Sequence, residues 1–412
     1  MATLNRRALI FTISGLATCV LLTWYLLSGH ERPPLPAVPH GFGPPRPSTW
    51  DYRRDANNLR LDLRQCEQAF PGLFEEVERP LADRRNSSIT LEELDSVPRQ
   101  NGYVRGMIYD QQLYVIEKTG GIYSRELATL HALHRAIISA PEPLPNIEFV
   151  FNSDDRIPSV AIWGYARREQ DTKIWLIPDF GYWSWPETKV GTMREVQMKA
   201  VETEQDDGWS WSSKVPKLLW RGATMGLELR ENFLKAAADQ PWADVKALEW
   251  KNKESMAHDL KSMPEHCQYK YLAHTEGNSY SGRLKYLQSC KSVVVAHKMD
   301  WIQHHHPLMR SDGPDKNYVQ VERSYEDLPE KMAWLQAHDR DAERIASNSV
   351  QTFRDRYLTP AAEACYWRRL IHGWSMVSFV PEFYEIVDGK KKWRGLPVES
   401  FFLERRLEWD PY

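Results

Sequence analysis

Residues 269–296 constrain the fold more than any other stretch of the chain. Tyr269 to Ala273 is short, apolar and aromatic, and a loop of small residues follows, Glu276-Gly277-Asn278-Ser279-Tyr280-Ser281-Gly282. Arg283 to Ser289 has helical character, with Leu284 and Leu287 three apart. Ser292-Val293-Val294-Val295-Ala296 is β-branched and uninterrupted, as a strand buried on both faces should be. The order strand, loop, helix, strand belongs to an α/β fold, in which a helix N-terminus offers free backbone N–H groups to an anion. Arg283 falls in the first helical turn, where the helix dipole disfavours a cation. Residues that break a local rule often serve function, and an arginine beside free N–H groups suits a phosphate. The plain alternative is a surface arginine after an ordinary loop, since a Gly-containing loop alone is weakly specific.

At 412 residues the chain has room for two domains of ordinary size. A net charge of −3 gives no sign of a nucleic-acid partner. Residues 1–7 carry Arg6 and Arg7, and Ala8 to Leu27 follows as 20 residues without a charge, enough to span about 30 Å. The flanking arginines keep the N-terminus cytoplasmic and place the rest across a lipid bilayer. The reading favoured is an uncleaved signal anchor; a cleaved signal peptide is the rival, with a usually shorter apolar region and a small-residue cleavage site. Residues 28–49 hold Pro33, Pro34, Pro36, Pro39, Pro44, Pro45 and Pro47, the composition of an extended stem.

Helical patterns run from Trp50 to about Phe70 and from Ser124 to Ser139. Asn146 to Phe151 reads as a buried strand ending at Asn152-Ser153-Asp154-Asp155. Polar groups at such a strand end are where open α/β sheets place their chemistry, although the same four residues are also ordinary turn formers. Lys173 to Ile177 is a further strand. It ends in the irregular aromatic segment Pro178 to Glu187, whose Trp183 and Trp185 could line a sugar cleft or pack between lobes. The polar run Glu202 to Asp207 marks a lobe boundary. Lys217 to Trp220 is a strand entering Arg221-Gly222-Ala223-Thr224-Met225-Gly226, with Arg230 and Phe233 on the helix beyond. Tyr318 to Val321 forms a small strand. Helices cover Leu328 to Ala337, with Ser324 as its cap and Asp327 at the third position, then Ala342 to Tyr357 and Ala361 to Trp374.

His304-His305-His306 does not suggest a metal site. Consecutive residues diverge on either regular element, and no cysteine lies near to complete a zinc set. Cys66, Cys267, Cys290 and Cys365 follow the apolar run and allow three pairings. Asn86-Ser87-Ser88 is a glycosylation sequon, consistent with a lumenal body.

Taken together, several segments resemble the capsule-associated-protein-type glycosyltransferases, glycosyltransferase family 90, which include lumenal protein O-glucosyltransferases. They are Trp220-Arg221-Gly222; Glu276-Gly277 with Ser281-Gly282-Arg283-Leu-Lys285-Tyr-Leu; Cys290-Lys-Ser292; Asp327-Leu328; and Pro178-Asp179-Phe180 with Trp183-Ser184-Trp185-Pro186-Glu187. The likeness covers about Asn146 to Trp374. It implies an α/β fold of GT-B type, with two Rossmann-like lobes facing a central cleft: an acceptor-side lobe over 50–210 and a nucleotide-sugar lobe over 211–375. A tail, 376–412, would pack back on the body. The implied chemistry is inverting transfer from a UDP-sugar, glucose or xylose, to a hydroxyl of a glycan or glycoprotein, with no metal and no other cofactor.

By position, the resemblance puts the catalytic base on Asp155, with Asp154 beside it as the competing residue. It puts the donor on Arg221, Gly222, Arg230, Gly277, Ser279, Ser281 and Arg283. The relatives carry a hydroxyl residue directly after Arg-Gly, where this chain has Ala223. It also implies a Cys267–Cys290 disulfide, leaving Cys66 with Cys365. The resulting expectation is a single-pass type II membrane transferase with a lumenal body, in the Golgi or alternatively the endoplasmic reticulum. The competing readings are an inactive glycan-binding scaffold that keeps the fold and a metal-dependent transferase of another architecture.

Overall fold

The computed structural model describes residues 50–188, 190–206, 208–249 and 258–407. The expected membrane span, the stem and the last five residues lie outside these limits. No described helix is long and apolar enough to cross a membrane.

The first sheet begins with a hairpin of β1 (Tyr103–Tyr109) and β2 (Gln112–Lys118). Its turn residues Asp110 and Gln111 have φ of 48° and 64°, both positive, as a two-residue turn that matches strand twist requires. β3 (Ile147–Asn152) pairs antiparallel with β1, and β4 (Ile162–Gly164) and β5 (Ile174–Leu176) add on in parallel. Every residue of β3 is buried. A short hairpin, β6 (Ser184–Trp185) and β7 (Val190–Thr192), follows. The second sheet contains β8 (Val215–Gly222), β9 (Ala243–Ala247), β10 (Tyr269–His274), β11 (Val293–His297) and β12 (Val319–Val321). Its order is β12-β11-β10-β8-β9 and every pairing is parallel. β13 (Tyr384–Val387) and β14 (Lys390–Trp393) form an exposed hairpin, and β15 (Leu396–Pro397) joins the free edge of β2. The architecture is therefore mixed α/β, one sheet wholly parallel and the other antiparallel on one side and parallel on the other.

Several elements differ from the sequence reading. The segment from Trp50 to Phe70 is two helices, Tyr52–Asp55 and Leu63–Ala69, the second begun by a reciprocal Asp62–Gln65 cap. Glu202 to Gln205, read as part of a polar linker, are helical: they end the helix Met193–Gln205, started by a Thr192–Glu195 cap. The Leu328–Ala337 helix starts at Asp327 rather than Ser324. Asp327 turns its carboxylate back to accept from the Glu322 N–H at 2.7 Å.

The long helix Pro360–Met376 follows the second sheet in the chain but completes the core of the first. Trp374 packs edge-on to Trp163 and Trp175 at 5.6 and 5.2 Å, and its indole N–H donates to the Glu148 carbonyl at 2.9 Å. A buried indole removes roughly 150–250 Å² from water, about 4–6 kcal/mol of gross stabilisation, so this contact fixes the helix firmly. Cys66 and Cys365 form a disulfide across 299 residues and pin the helix to Leu63–Ala69. Cys267 and Cys290 form the other. Both pairs are those the resemblance implied.

Candidate active site

The parallel strands of the second sheet end together, and the loops leaving them build the site, as in open α/β sheets generally. β8 delivers Arg221 and Gly222; β10 delivers the loop from Thr275 to Gly282 and then Arg283. A cavity of about 440 Å³ lies here, with Arg221, Arg230, Arg283, Ala223, Ser281 and Trp185 among its lining residues.

The three arginines are held differently. Arg221 is committed to the scaffold: its Nη2 pairs with Asp244 Oδ1 at 2.6 Å, and Nε and Nη1 donate to the carbonyls of Asp259, Trp220 and Asp244. Asp244, on β9, accepts a further bond from the Tyr269 hydroxyl at 2.7 Å. Arg230 rises from the helix Glu228–Ala237 and stitches the two loops together, donating to the Glu276 carbonyl at 2.9 Å and the Ala223 carbonyl at 2.6 Å. Arg283 is half-buried just before the short helix Leu284–Leu287, and its side chain has no hydrogen bond or ion pair among the described residues. Burial and the nearby Arg230 guanidinium lower its pKa to about 10, so it stays charged at neutral pH. A Cβ at Gly222 would stand 3.3 Å from Arg283 Nη2 and 2.8 Å from the Trp220 ring, so this glycine makes room for the guanidinium.

The Gly277 to Ser281 loop turns tightly, the Gly277 N–H donating to the Ser279 carbonyl at 3.0 Å. A Cβ at Gly277 would sit 3.2 Å from Arg230 Nη2. Ser281 lines the cavity, whereas Ser279 is buried away from it. Glu276 anchors the loop: its carboxylate accepts from the Trp301 N–H and from Arg323 at 2.8 and 2.7 Å, while its own N–H donates to His297 at 3.1 Å.

Asp154 and Asp155 separate in role. The Asn152 side chain accepts the Asp154 N–H at 2.8 Å, and the Asp154 carboxylate accepts the Asp155 N–H at 2.7 Å, so Asn152 and exposed Asp154 shape the turn. That leaves the half-buried Asp155 carboxylate to Arg125, whose Nη1 stands 2.9 Å away. Arg156 then donates from Nε to the Asn278 carbonyl at 2.7 Å, bringing this turn of the first sheet against the glycine loop of the second.

A buried ion pair ties the same two regions. Lys285 Nζ lies 2.8 and 3.0 Å from the two oxygens of Asp179 and 2.6 Å from the Gly282 carbonyl. Gln303 and the Gly181 N–H complete the Asp179 shell at 3.0 and 2.7 Å. Burial lowers the lysine pKa and Asp179 opposes the shift. Removing one member of such a pair costs about 3–5 kcal/mol.

Trp183 and Trp185 part company. Trp185 faces the arginine cavity, while Trp183 stacks on His131 at 5.2 Å and lines a second, smaller cavity. His304 and His305 are buried among Tyr182, Tyr366 and Phe353, half-buried His306 packs against His305, and desolvation holds all three well below the usual histidine range. Among the described residues no cluster of His, Cys, Asp or Glu is arranged to hold a metal. Asn86 is exposed in the turn after the helix Glu75–Asp83.

Arg125, Asp179, Lys285 and Asp244 were not identified from sequence as members of the site. Arg125 carried the same signal as Arg283, a cation in the first turn of a helix. Asp179 and Lys285 lie inside the segments that carried the resemblance. Nothing in the sequence pairs Asp244 with Arg221.

A family model described as Glycosyl transferase family 90 matches residues 64–383. Protein O-glucosyltransferase 1 of Rattus norvegicus is 24% identical over 281 residues, 62% of this chain and 70% of that protein. Protein O-glucosyltransferase 3 of the same species is 25% identical over 312 residues, 69% of this chain and 58% of the relative. Protein O-glucosyltransferase 2 of Danio rerio is 26% identical over 247 residues, covering 55% and 47%. The chain thus spans between about half and 70% of these relatives.

Proposed function

This chain belongs to glycosyltransferase family 90, and from that premise we propose that it transfers a sugar from a UDP-sugar to a hydroxyl of a glycan or glycoprotein acceptor, with inversion and without a metal. The observation that carries this reading is Arg283, a charged guanidinium with no side-chain partner among the described residues, facing a cavity walled by two further arginines and Trp185. A departing diphosphate needs such positive charge, preorganised where the negative charge develops.

In the proposed step the acceptor oxygen attacks the anomeric carbon from the face opposite the diphosphate. The anomeric C–O bond breaks, UDP leaves with the electron pair, and Asp155 takes the acceptor proton as general base. Arg125 holds that carboxylate in position. Arg283 and Ser281 receive the diphosphate, Arg230 and Gly277 hold the loop, and Arg221 with Gly222 shapes the wall. The activity for which these relatives are named, protein O-glucosyl transfer, favours glucose as donor sugar and a glycoprotein as acceptor; xylose is the second donor. We read the two sheets as the cores of GT-B lobes, nominally 50–210 and 211–375, joined through Lys285–Asp179 and Arg156–Asn278. Two disulfides and an exposed sequon favour a lumenal body, with residues 8–27 as its anchor in the Golgi or endoplasmic reticulum membrane.

The test is calorimetric titration of UDP into the purified chain with EDTA present, followed by transfer assays with UDP-glucose and UDP-xylose. Binding should survive the chelator. Asp155→Asn should keep UDP affinity yet lose at least a hundredfold in transfer, within the 10²–10⁴ range of general-base catalysis. Absence of UDP binding by the folded wild-type chain would overturn the reading.

A further inference from the structure

β13 and β14 stand clear of the body: every residue in them is exposed except half-buried Val387. The hairpin is nonetheless well specified. Its turn, Asp388-Gly389, has φ of 50° and 75°, the positive pair that an Asp-Gly hairpin turn adopts. Its base is pinned twice. The Phe383 ring stacks on Tyr109 at 4.6 Å, and the two amino nitrogens of Arg394 each stand 2.8 Å from an oxygen of Glu148. Cross-strand partners share a face, so Tyr384 with Trp393 and Ile386 with Lys391 lie together, and Lys391 Nζ sits 3.7 Å from the centre of the Tyr384 ring. On that face Tyr384, Ile386 and Trp393 are 43%, 71% and 55% exposed.

A two-stranded hairpin is marginal in water unless something covers it. The exposed surface of these three side chains is on the order of 300 Å², well short of the roughly 800 Å² that each partner of a stable protein complex buries. A bilayer needs no such area from a chain already tethered to it, because the tether supplies the local concentration. Trp and Tyr rings settle at the level of lipid head groups, and lysine stems run past them to the polar zone. Lys390, Lys391 and Lys392 face only Glu385 and Asp388 within the hairpin, three positive charges against two negative, so the face suits a zwitterionic surface. Its place on the body fits as well. Tyr109 and Glu148 lie at the end of the first sheet where β3 begins, and Asp155 follows the other end of β3, about 20 Å away. The chain joins the body at the hairpin's end: the Leu63 N–H donates to Glu142 at 2.9 Å, and the Leu144 N–H to Gln111 of the β1–β2 turn at 2.8 Å. An extended stem over residues 28–49 reaches at most about 70 Å, which holds that end near the bilayer.

We infer that the outer face of the β13–β14 hairpin docks on the lipid bilayer surface beside the chain's own anchor and turns the Asp155 end of the first sheet away from it. This rests on residues 8–27 being that anchor. The full chain in phosphatidylcholine nanodiscs tests it, in a Cys19→Ser background that leaves one introduced thiol for a fluorophore. The label goes on Lys391→Cys, on the outer face, or on Glu231→Cys, exposed on a helix of the second sheet. Lipid carrying a nitroxide on its head group should quench the label at 391 at least threefold more than at 231. Ile386→Ser with Trp393→Ser should bring 391 down to the level of 231 while UDP binding stays unchanged. Equal quenching at the two positions, or quenching at 391 that ignores the double variant, would overturn the inference. So would a shift in emission at 391 without nitroxide quenching, the mark of a protein cover such as a second copy. Alkaline carbonate separates the two readings: a chain that resists extraction yet shows equal quenching loses the docking alone, and a chain that carbonate releases loses the anchor and the docking with it.

Discussion

Two strands of the parallel sheet, β8 and β10, both lead into a glycine-containing loop and an arginine, yet the two arginines have opposite roles. Arg221 is enclosed by Asp244 and three carbonyls, whereas the Arg283 guanidinium faces its cavity with no partner among the described residues. The difference comes from the neighbouring strand. β9 lies beside β8 and brings a carboxylate to Arg221, while β11 and β12 bring none to Arg283. A motif that reads the same twice can thus be tied into the scaffold in one copy and left facing a cavity in the other, decided by a residue far off in sequence.

Mutations can break this contrast. Arg221→Ala should have the largest effect, about 3–5 kcal/mol of lost stability, because Asp244 and three carbonyls lose their donor; a urea melt measures it. Arg283→Ala should leave the melt within ~0.5 kcal/mol but weaken UDP binding at least tenfold, about 1.4 kcal/mol. If Arg283→Ala destabilised the fold as much as Arg221→Ala, the distinction would fail. Gly222→Ala should weaken UDP about threefold, roughly 0.7 kcal/mol, by crowding Trp220 and the Arg283 guanidinium, with Arg221's bonds intact.

The smallest effect concerns acid. The Asp244 carboxyl is pushed up by burial, but its bonds from Tyr269 and Arg221 outweigh that and hold it below the usual value of 3.8. A carboxyl depressed in the folded state stabilises above its unfolded pKa, and that contribution fades as pH falls through the folded value. Melts of the wild type should therefore lose stability from about pH 4 downward. Arg221→Gln, already less stable, should show a shallower loss in that window.

The elements that depend on local pattern were legible. β3, β10, β11 and the helices Ser124–Ile138, Leu328–Ala337 and Pro360–Met376 fall close to where apolar spacing placed them, because each buries a continuous face. The hairpin of β1 and β2 was missed: its turn is Asp-Gln, without the glycine that usually marks positive φ. The helix Met193–Gln205 was missed because its polar C-terminal part resembles a linker. Arg283 was legible because it violates a dipole rule. Arg221's pairing was not, since Asp244 is 23 residues away with nothing local to link them. The turn bonds from Asn152 and Asp154 that leave Asp155 to Arg125 exist only once β3 and the Ser124–Ile138 helix are in place.

The return of the Pro360–Met376 helix to the first sheet also sets an order in time. Trp163 and Trp175 emerge from the ribosome about 200 residues before Trp374, which covers them. At roughly 5–20 residues per second the nascent first sheet waits about 10–40 s with that indole surface uncovered. Synthesis of the whole second sheet falls inside this interval, so the half made first is the half finished last.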